Sequence, residues 1–199
     1  EVIIIPPGTY VENINFLGKR ITVRSEQGPL VTIIDGGQSG SVVRFEHGEG
    51  PDSVLDGFTL TNGSGTPSDF GSLIGGGVVC QGTASPTIIN NIITQNRVLA
   101  NGFGGGIAVR HSSSPTIRGN RISKNQASRQ GGGIYALVNN NTLVIQDNII
   151  EDNEASGVGG GVACGNGAPI ISGNIFARNV LGVGPGGEAD GGGSTIRAR

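Results

Sequence analysis

Gly-Gly-Gly triplets ending at Gly77, Gly106, Gly133 and Gly161 are spaced 29, 27 and 28 residues apart, and a second word keeps the same period. Asn91, Asn120, Asn148 and Asn174 are each followed five residues later by Asn96, Asn125, Asn153 and Asn179. Two independent markers in phase over four copies restrict the chain to a stack of like units. A unit this short cannot bury an apolar face alone, so neighbours must bury it for one another.

Aligned on these words, the copies give columns. Ile88, Ile117, Ile145 and Ile171 lie three residues before the first Asn. Val78, Ile107, Ile134 and Val162 follow the glycines, with Cys80, Val109, Ala136 and Cys164 two residues on. Strand side chains alternate between faces, so these columns point inward. Val79, Ala108, Tyr135 and Ala163, between them, point outward. Ile93, Ile122, Ile150 and Phe176 form a further inward column. No segment holds a helical period over ten residues, and each coil reads as about three short β-branched strands separated by turns. The pattern predicts an all-β fold, a right-handed parallel β-helix of about seven coils, ~34 Å long at ~4.8 Å per coil. Residues 1–199 read as one domain.

The corners have their own chemistry. Asn tolerates a left-handed conformation, and stacked amides can hydrogen-bond from coil to coil. The glycines supply positive φ where a loop re-enters the sheet; no helix follows them, so they are not a phosphate cradle. In the preceding coil Gly57 and Asn62 keep the five-residue spacing, but that register would turn Thr59 inward and Phe58 and Leu60 outward. A one-residue shift is therefore expected. Upstream, VIIIPPGTYVENI, KRITVRS and VTIIDGG supply strands for about two opening coils.

Thirteen basic against fifteen acidic residues leave a net charge of −2, without the footprint of a nucleic-acid partner or an anionic membrane. Apolar runs such as Val2–Ile5 fall far short of the ~20 residues of a membrane helix, so no membrane insertion is expected. No cofactor motif is present. The start at Glu1 and the lack of any Met read as a mature or excised segment of a longer secreted protein. Solenoid ends expose strand edges, which makes end-to-end self-association a further expectation.

Gly-Gly-Gly-Ile at 104–107 and 131–134, with Phe-Ala-Arg-Asn at 176–179, resembles the repeats of the polymorphic outer-membrane protein family. The opening, PPGTYVENI through TIIDGG, is similar to the first coils of secreted pectin-lyase-like proteins. The first resemblance implies cell-surface adhesion by a secreted domain. The second implies lyases, hydrolases, esterases or epimerases acting on polysaccharide. GTYVENI resembles pectin methylesterases, but their Gln-Asp and Asp-Phe-Ile-Phe-Gly words are absent, as are the hydrolase words Asn-Thr-Asp and Gly-His-Gly, so no catalytic residue carries over.

Among the residues themselves, Arg110 and His111 align with Glu46 and His47 two coils earlier, and Tyr135 lies one coil later. These five are the candidate catalytic residues, because His with a carboxylate can do acid–base work; a solvated sheet face is the plainer reading. Gly-Gly-Glu-Ala-Asp resembles a calcium loop, making Glu188 and Asp190 candidate metal ligands on a single copy. Loops after Asn62, Asn96, Asn125, Asn153 and Asn179 vary in length, as on a scaffold that presents loops for recognition. The expectation is an extracellular or cell-surface module with a structural or adhesive role and a cell-surface or polysaccharide ligand; the alternative is a carbohydrate-active enzyme. Two smaller expectations follow from the columns. Gln95, Lys124, Asp152 and Arg178 precede the second Asn, so Lys124, Asp152 and Arg178 should stack. Cys80 and Cys164 share a column three coils apart, ~14 Å, too far for a disulfide, and should be buried free thiols.

Overall fold

The computed structural model describes residues 1–138 and 142–182. Each coil visits three parallel sheets in turn. The first has seven strands, from Val2–Ile5 through Thr87–Ile89 to Ile170–Ser172. The second also has seven, from Gly8–Val11 to Ile175–Ala177, and the third has six, from Ile14–Asn15 to Val162–Gly165. The fold class is as the periodicity predicts, and no described residue is helical. The described residues make about six turns, where about seven were expected for the whole chain. Dividing the whole length by the period counted residues beyond 182, which lie outside the described part. A fourth sheet was not foreseen: Arg97–Val98, Gln126–Ala127, Glu154–Ala155 and Val180–Leu181 pair in parallel immediately after the second Asn of each coil.

The inward columns stand in register. Leu55, Ile88, Ile117, Ile145 and Ile171 pair in sequence, as do Leu60, Ile93, Ile122, Ile150 and Phe176. Most are fully buried, each contributing about 1.5–3 kcal/mol relative to exposure. The one-residue shift is observed: Leu60 pairs with Ile93, Phe58 and Leu60 are buried, and Thr59 is not. Phe58 and Gly63 therefore occupy the slots of Asn91 and Asn96, and their N–H groups donate to those Asn Oδ1 atoms at 2.9 and 2.8 Å.

From there two amide ladders run along the rod. The N–H of Asn91 donates to Asn120 Oδ1 at 3.0 Å, and Asn120 Nδ2 donates both to Ile88 O at 2.9 Å and to Asn148 Oδ1 at 3.0 Å. The Asn96, Asn125, Asn153 and Asn179 ladder repeats the arrangement. The ladder asparagines are not themselves left-handed. The preceding residue carries the positive φ, at Asn90, Gly119, Asp147 and Gly173 for one ladder and Gln95, Lys124, Asp152 and Arg178 for the other. That residue turns the corner, which leaves the Asn side chain free to point inside it.

In each of the four described triplets the first glycine has positive φ, 68° at Gly104 for example. The second has no room for a side chain, a Cβ on Gly105 falling 2.5 Å from Gly132 O. The outward column departs from expectation. Val79, Ala108, Tyr135 and Ala163 are buried in a second apolar cluster with Ile74, packed against Phe103 and Leu137. The covering chain is itself stacked, with Ile74, Phe103, Gln130 and Val158 bridging coil to coil. The third sheet is thus covered on both faces along this stretch, as parallel sheets generally are.

Cys80, Val109, Ala136 and Cys164 pair in register, and both cysteines are free. Cys80 is buried, but Cys164 is only half-buried because it lies near the end of the described stack. Burial pushes both thiols up, Cys164 to about 11 and Cys80 further, with Glu49 adding to the effect at Cys80. Native protein at neutral pH should leave Cys80 unmodified and Cys164 slow to react with a thiol reagent. Denatured protein without reductant should yield two thiols; none would reveal an 80–164 bridge and break the register.

Of the expected charge column, the contact between Asp152 and Arg178 forms. Arg178 grips Asp152 with two bonds, Nε to Oδ1 at 2.6 Å and Nη2 to Oδ2 at 2.8 Å. Its Nη2 also reaches Glu151 at 2.7 Å, and Glu151 in turn pairs with Arg121 at 2.6 Å. Arg178 holds the Asp152 carboxyl below its ordinary 3.8, with smaller help from the fields of Lys124 and Arg121. A folded-state value below the unfolded one stabilises above pH 3.8 and is lost as pH falls through the folded value. Arg178→Ala should therefore lower the melting midpoint at pH 7, and the difference should vanish in acid well below pH 3.8.

Candidate functional site

One coil carries an insertion. Thr66–Pro67 and Leu73–Ile74 pair antiparallel, while every other strand pairing described is parallel. Pro67, two serines and Gly71 suit the turn: the Ser68 N–H donates to Ser72 O at 2.8 Å, the two hydroxyls meet at 2.7 Å, and Gly71 has φ 69°. The tip holds Phe70 in solvent, 75% exposed. This hairpin overhangs the strand Ile107–His111, whose Arg110 side chain points outward in the column of Glu46 and Gln81.

Three clefts adjoin the hairpin, and each takes at least one residue from it. A cleft of about 300 Å³ sets Leu73 and Leu99 against Asn62, Gln95 and Arg97. A second, of about 290 Å³, is walled by Phe70, Phe103 and Tyr135 with Arg110 and Arg129. A third, of about 270 Å³, gathers Glu46, His47, Asp69, Gln81 and His111. The five sequence-derived candidates are thus divided: Glu46, His47 and His111 share one cleft, while Arg110 and Tyr135 share its neighbour. Consecutive residues Asp69 and Phe70 reach into one each. Glu188 and Asp190 lie outside the described residues.

In the second cleft the Arg110 Cζ lies 5.2 Å from the centre of the Phe70 ring, a cation–π contact. Phe103 and Tyr135 pack as a tilted pair with centroids 4.8 Å apart. Burial pushes the Tyr135 phenol up, and Arg110 partly offsets this. Arg129 Nε donates to Asn101 Oδ1 at 2.6 Å, which fixes a second guanidinium at the rim. Sequence reading missed Phe70, Phe103 and Arg129. Phe103 had a signal, since Ile74, Phe103, Gln130 and Val158 each immediately precede a glycine triplet.

The third cleft is arranged differently. Glu46 is occupied by Asn15 Nδ2 at 2.9 Å, by Gln81 Nε2 at 3.3 Å and by Arg44 at 3.4 Å. The buried carboxylate of Glu49 accepts from the N–H groups of Gly18 and His47, both at 2.9 Å, and so fixes the loop that carries His47. His111 Nε2 stands 3.9 Å from Asp69 Oδ2 on the hairpin. An imidazole near a carboxylate is a group able to move protons, although Glu46 is already engaged by three donors.

A family model described as the right handed beta helix region matches residues 31–198. The chain belongs to this right-handed β-helix family. The matched part of the β-helix takes in the hairpin and all three clefts. Comparison of this β-helix with curated proteins and with solved structures gives no match.

Proposed function

We propose that this β-helix is an extracellular or cell-surface binding module, with the coils as a stiff support and the hairpin edge as the surface that holds a polysaccharide or other cell-surface ligand. The observation that carries this reading is the hairpin at residues 66–74, which contributes side chains to three adjoining clefts. Functional residues concentrate on loops held by a rigid scaffold, and aromatic walls beside guanidinium groups suit ring-shaped ligands. The likeness of Gly-Gly-Gly-Ile and Phe-Ala-Arg-Asn to polymorphic outer-membrane repeats supports an adhesive role.

A second reading, a carbohydrate-active enzyme, is favoured by the meeting of Glu46, His47, His111 and Asp69 in one cleft. One experiment separates the two. The protein is applied to an immobilised polysaccharide panel, and each glycan it retains is assayed for new reducing ends or unsaturated products. Stable retention without product is expected. Product that accumulates with time and disappears in Glu46→Gln or His111→Ala would replace the binding reading with the enzymatic one.

A further inference from the structure

Arg110 is a buried cation without a counter-ion among the described residues. It is 9% exposed, its Nε is enclosed without a hydrogen-bond partner, and its guanidinium lies over the Phe70 ring. Removing a guanidinium from water is costly unless an anion meets it. Solenoid geometry does not require the charge, because Glu46, Gln81 and Leu137 occupy the same column in other coils. No carboxylate lines the cleft among the described residues, and the hairpin's acid, Asp69, serves the neighbouring cleft with His111. Arg129 adds a second positive charge, and Ser72, Asn101 and Tyr135 add polar groups.

We infer that this cleft is an anion site, in which a ligand places a carboxylate or sulfate group on Arg110 and Arg129 and lays a ring face against Phe103 and Tyr135. The fork of a guanidinium matches the paired oxygens of either group, and about 290 Å³ admits one ring with its substituent. The inference rests on the binding reading above and narrows it to the charge of the ligand. The ring can come from an acidic sugar or from an apolar acid.

The chain has two tyrosines and no tryptophan. In a Tyr10→Phe background, tyrosine fluorescence therefore reports on Tyr135 in the cleft. That protein is titrated with glucuronate, glucose 6-sulfate and cyclohexanecarboxylate, and with glucose and cyclohexanol as neutral partners. The acids should bind at least tenfold more tightly than their neutral counterparts, and the ranking of glucuronate against cyclohexanecarboxylate identifies the ring. Arg110→Met should weaken acid binding at least tenfold while leaving the melting midpoint unchanged or higher, since it removes an unbalanced buried charge. Arg110→Lys keeps the charge without the fork and should weaken it less.

Equal binding of acids and neutral partners would overturn the site. So would acid binding that is unchanged in both Arg110 variants. A lower melting midpoint in Arg110→Met, with no saturable response to acids in the parent, would assign Arg110 to structure instead. Retention of neutral glycans with no effect of Arg110→Met would sink the anion site and leave the binding reading standing.

Discussion

Replacing Asn125 with Ala should cost about 2–3 kcal/mol of stability, counting one buried main-chain N–H left unpaired at roughly 1–3 kcal/mol together with the lost side-chain bonds. Asn125 is 1% exposed in the second amide ladder. Its Oδ1 accepts the Asn96 N–H at 3.1 Å, and its Nδ2 donates to Ile93 O at 2.9 Å and Asn153 Oδ1 at 3.0 Å. Asn96 Nδ2 loses the same oxygen but keeps Leu60 O and Thr94 O. The Asn96 N–H has no such reserve, and water cannot reach the corner to replace the amide. Asn174→Ala is the control, because this rung is only partly buried, so its cost should be about 1 kcal/mol, that of an ordinary hydrogen bond. Urea denaturation of the two variants gives both numbers, and equal losses would mean that burial of the ladder is not what makes it stabilising.

Gly105→Ala should cost about 3 kcal/mol, the upper end of overpacking penalties. Its Cβ would lie 2.5 Å from Gly132 O and 2.7 Å from the backbone N and C of Gln126. These are backbone atoms of the next coil, so no side chain can rotate away, and relief requires the coils to part. Parting them would lengthen the hydrogen bond from the Gly105 N–H to Gly131 O, 3.0 Å in the native stack. Gly50 provides the contrast, since a Cβ there meets nothing within 4 Å. Gly50→Ala should stay within about 0.5 kcal/mol of the parent, and thermal melts read the difference directly.

What the sequence disclosed was the strongest of what recurs; the fourth sheet recurs too, but two residues per coil carry no strand alternation. The isoleucine column at 88, 117, 145 and 171 and the paired asparagines announced strands, faces and corners because every coil must solve the same burial problem. The shift at Phe58 was legible for the same reason, as Thr59 could not be inside. Two features escaped because they depend on how chain folds over the repeat. Val79, Ala108 and Tyr135 were placed outward correctly, yet they are buried, and the cover over them was visible only as the column of Ile74, Phe103, Gln130 and Val158 before the triplets. The hairpin of residues 66–74 occurs in one coil and pairs two residues with two, too short a signal for strand alternation. Arg121 and Glu151 were missed because they pair diagonally across neighbouring strands rather than straight across, where Arg121 faces Ile149.

The functional residues follow the same division. Arg110, His111, Glu46 and His47 were found from register alone, since strand pairing fixes their columns. Their separation into two clefts is set by Asp69 and Phe70, neighbours on a single non-repeating loop. A repeat specifies the scaffold, and a departure from the repeat specifies the candidate site.

That separation can be measured in the double variant Asp69→Ser, Phe70→Ser, which alters the hairpin tip but leaves Ile74, the hairpin's anchor in the second apolar cluster, in place. Retention on the polysaccharide panel and the melting midpoint are recorded together for parent and variant. If rod and binding edge are distinct, the variant melts within a few degrees of the parent and is no longer retained. Undiminished retention by a folded variant would contradict the placement of the binding surface on this hairpin.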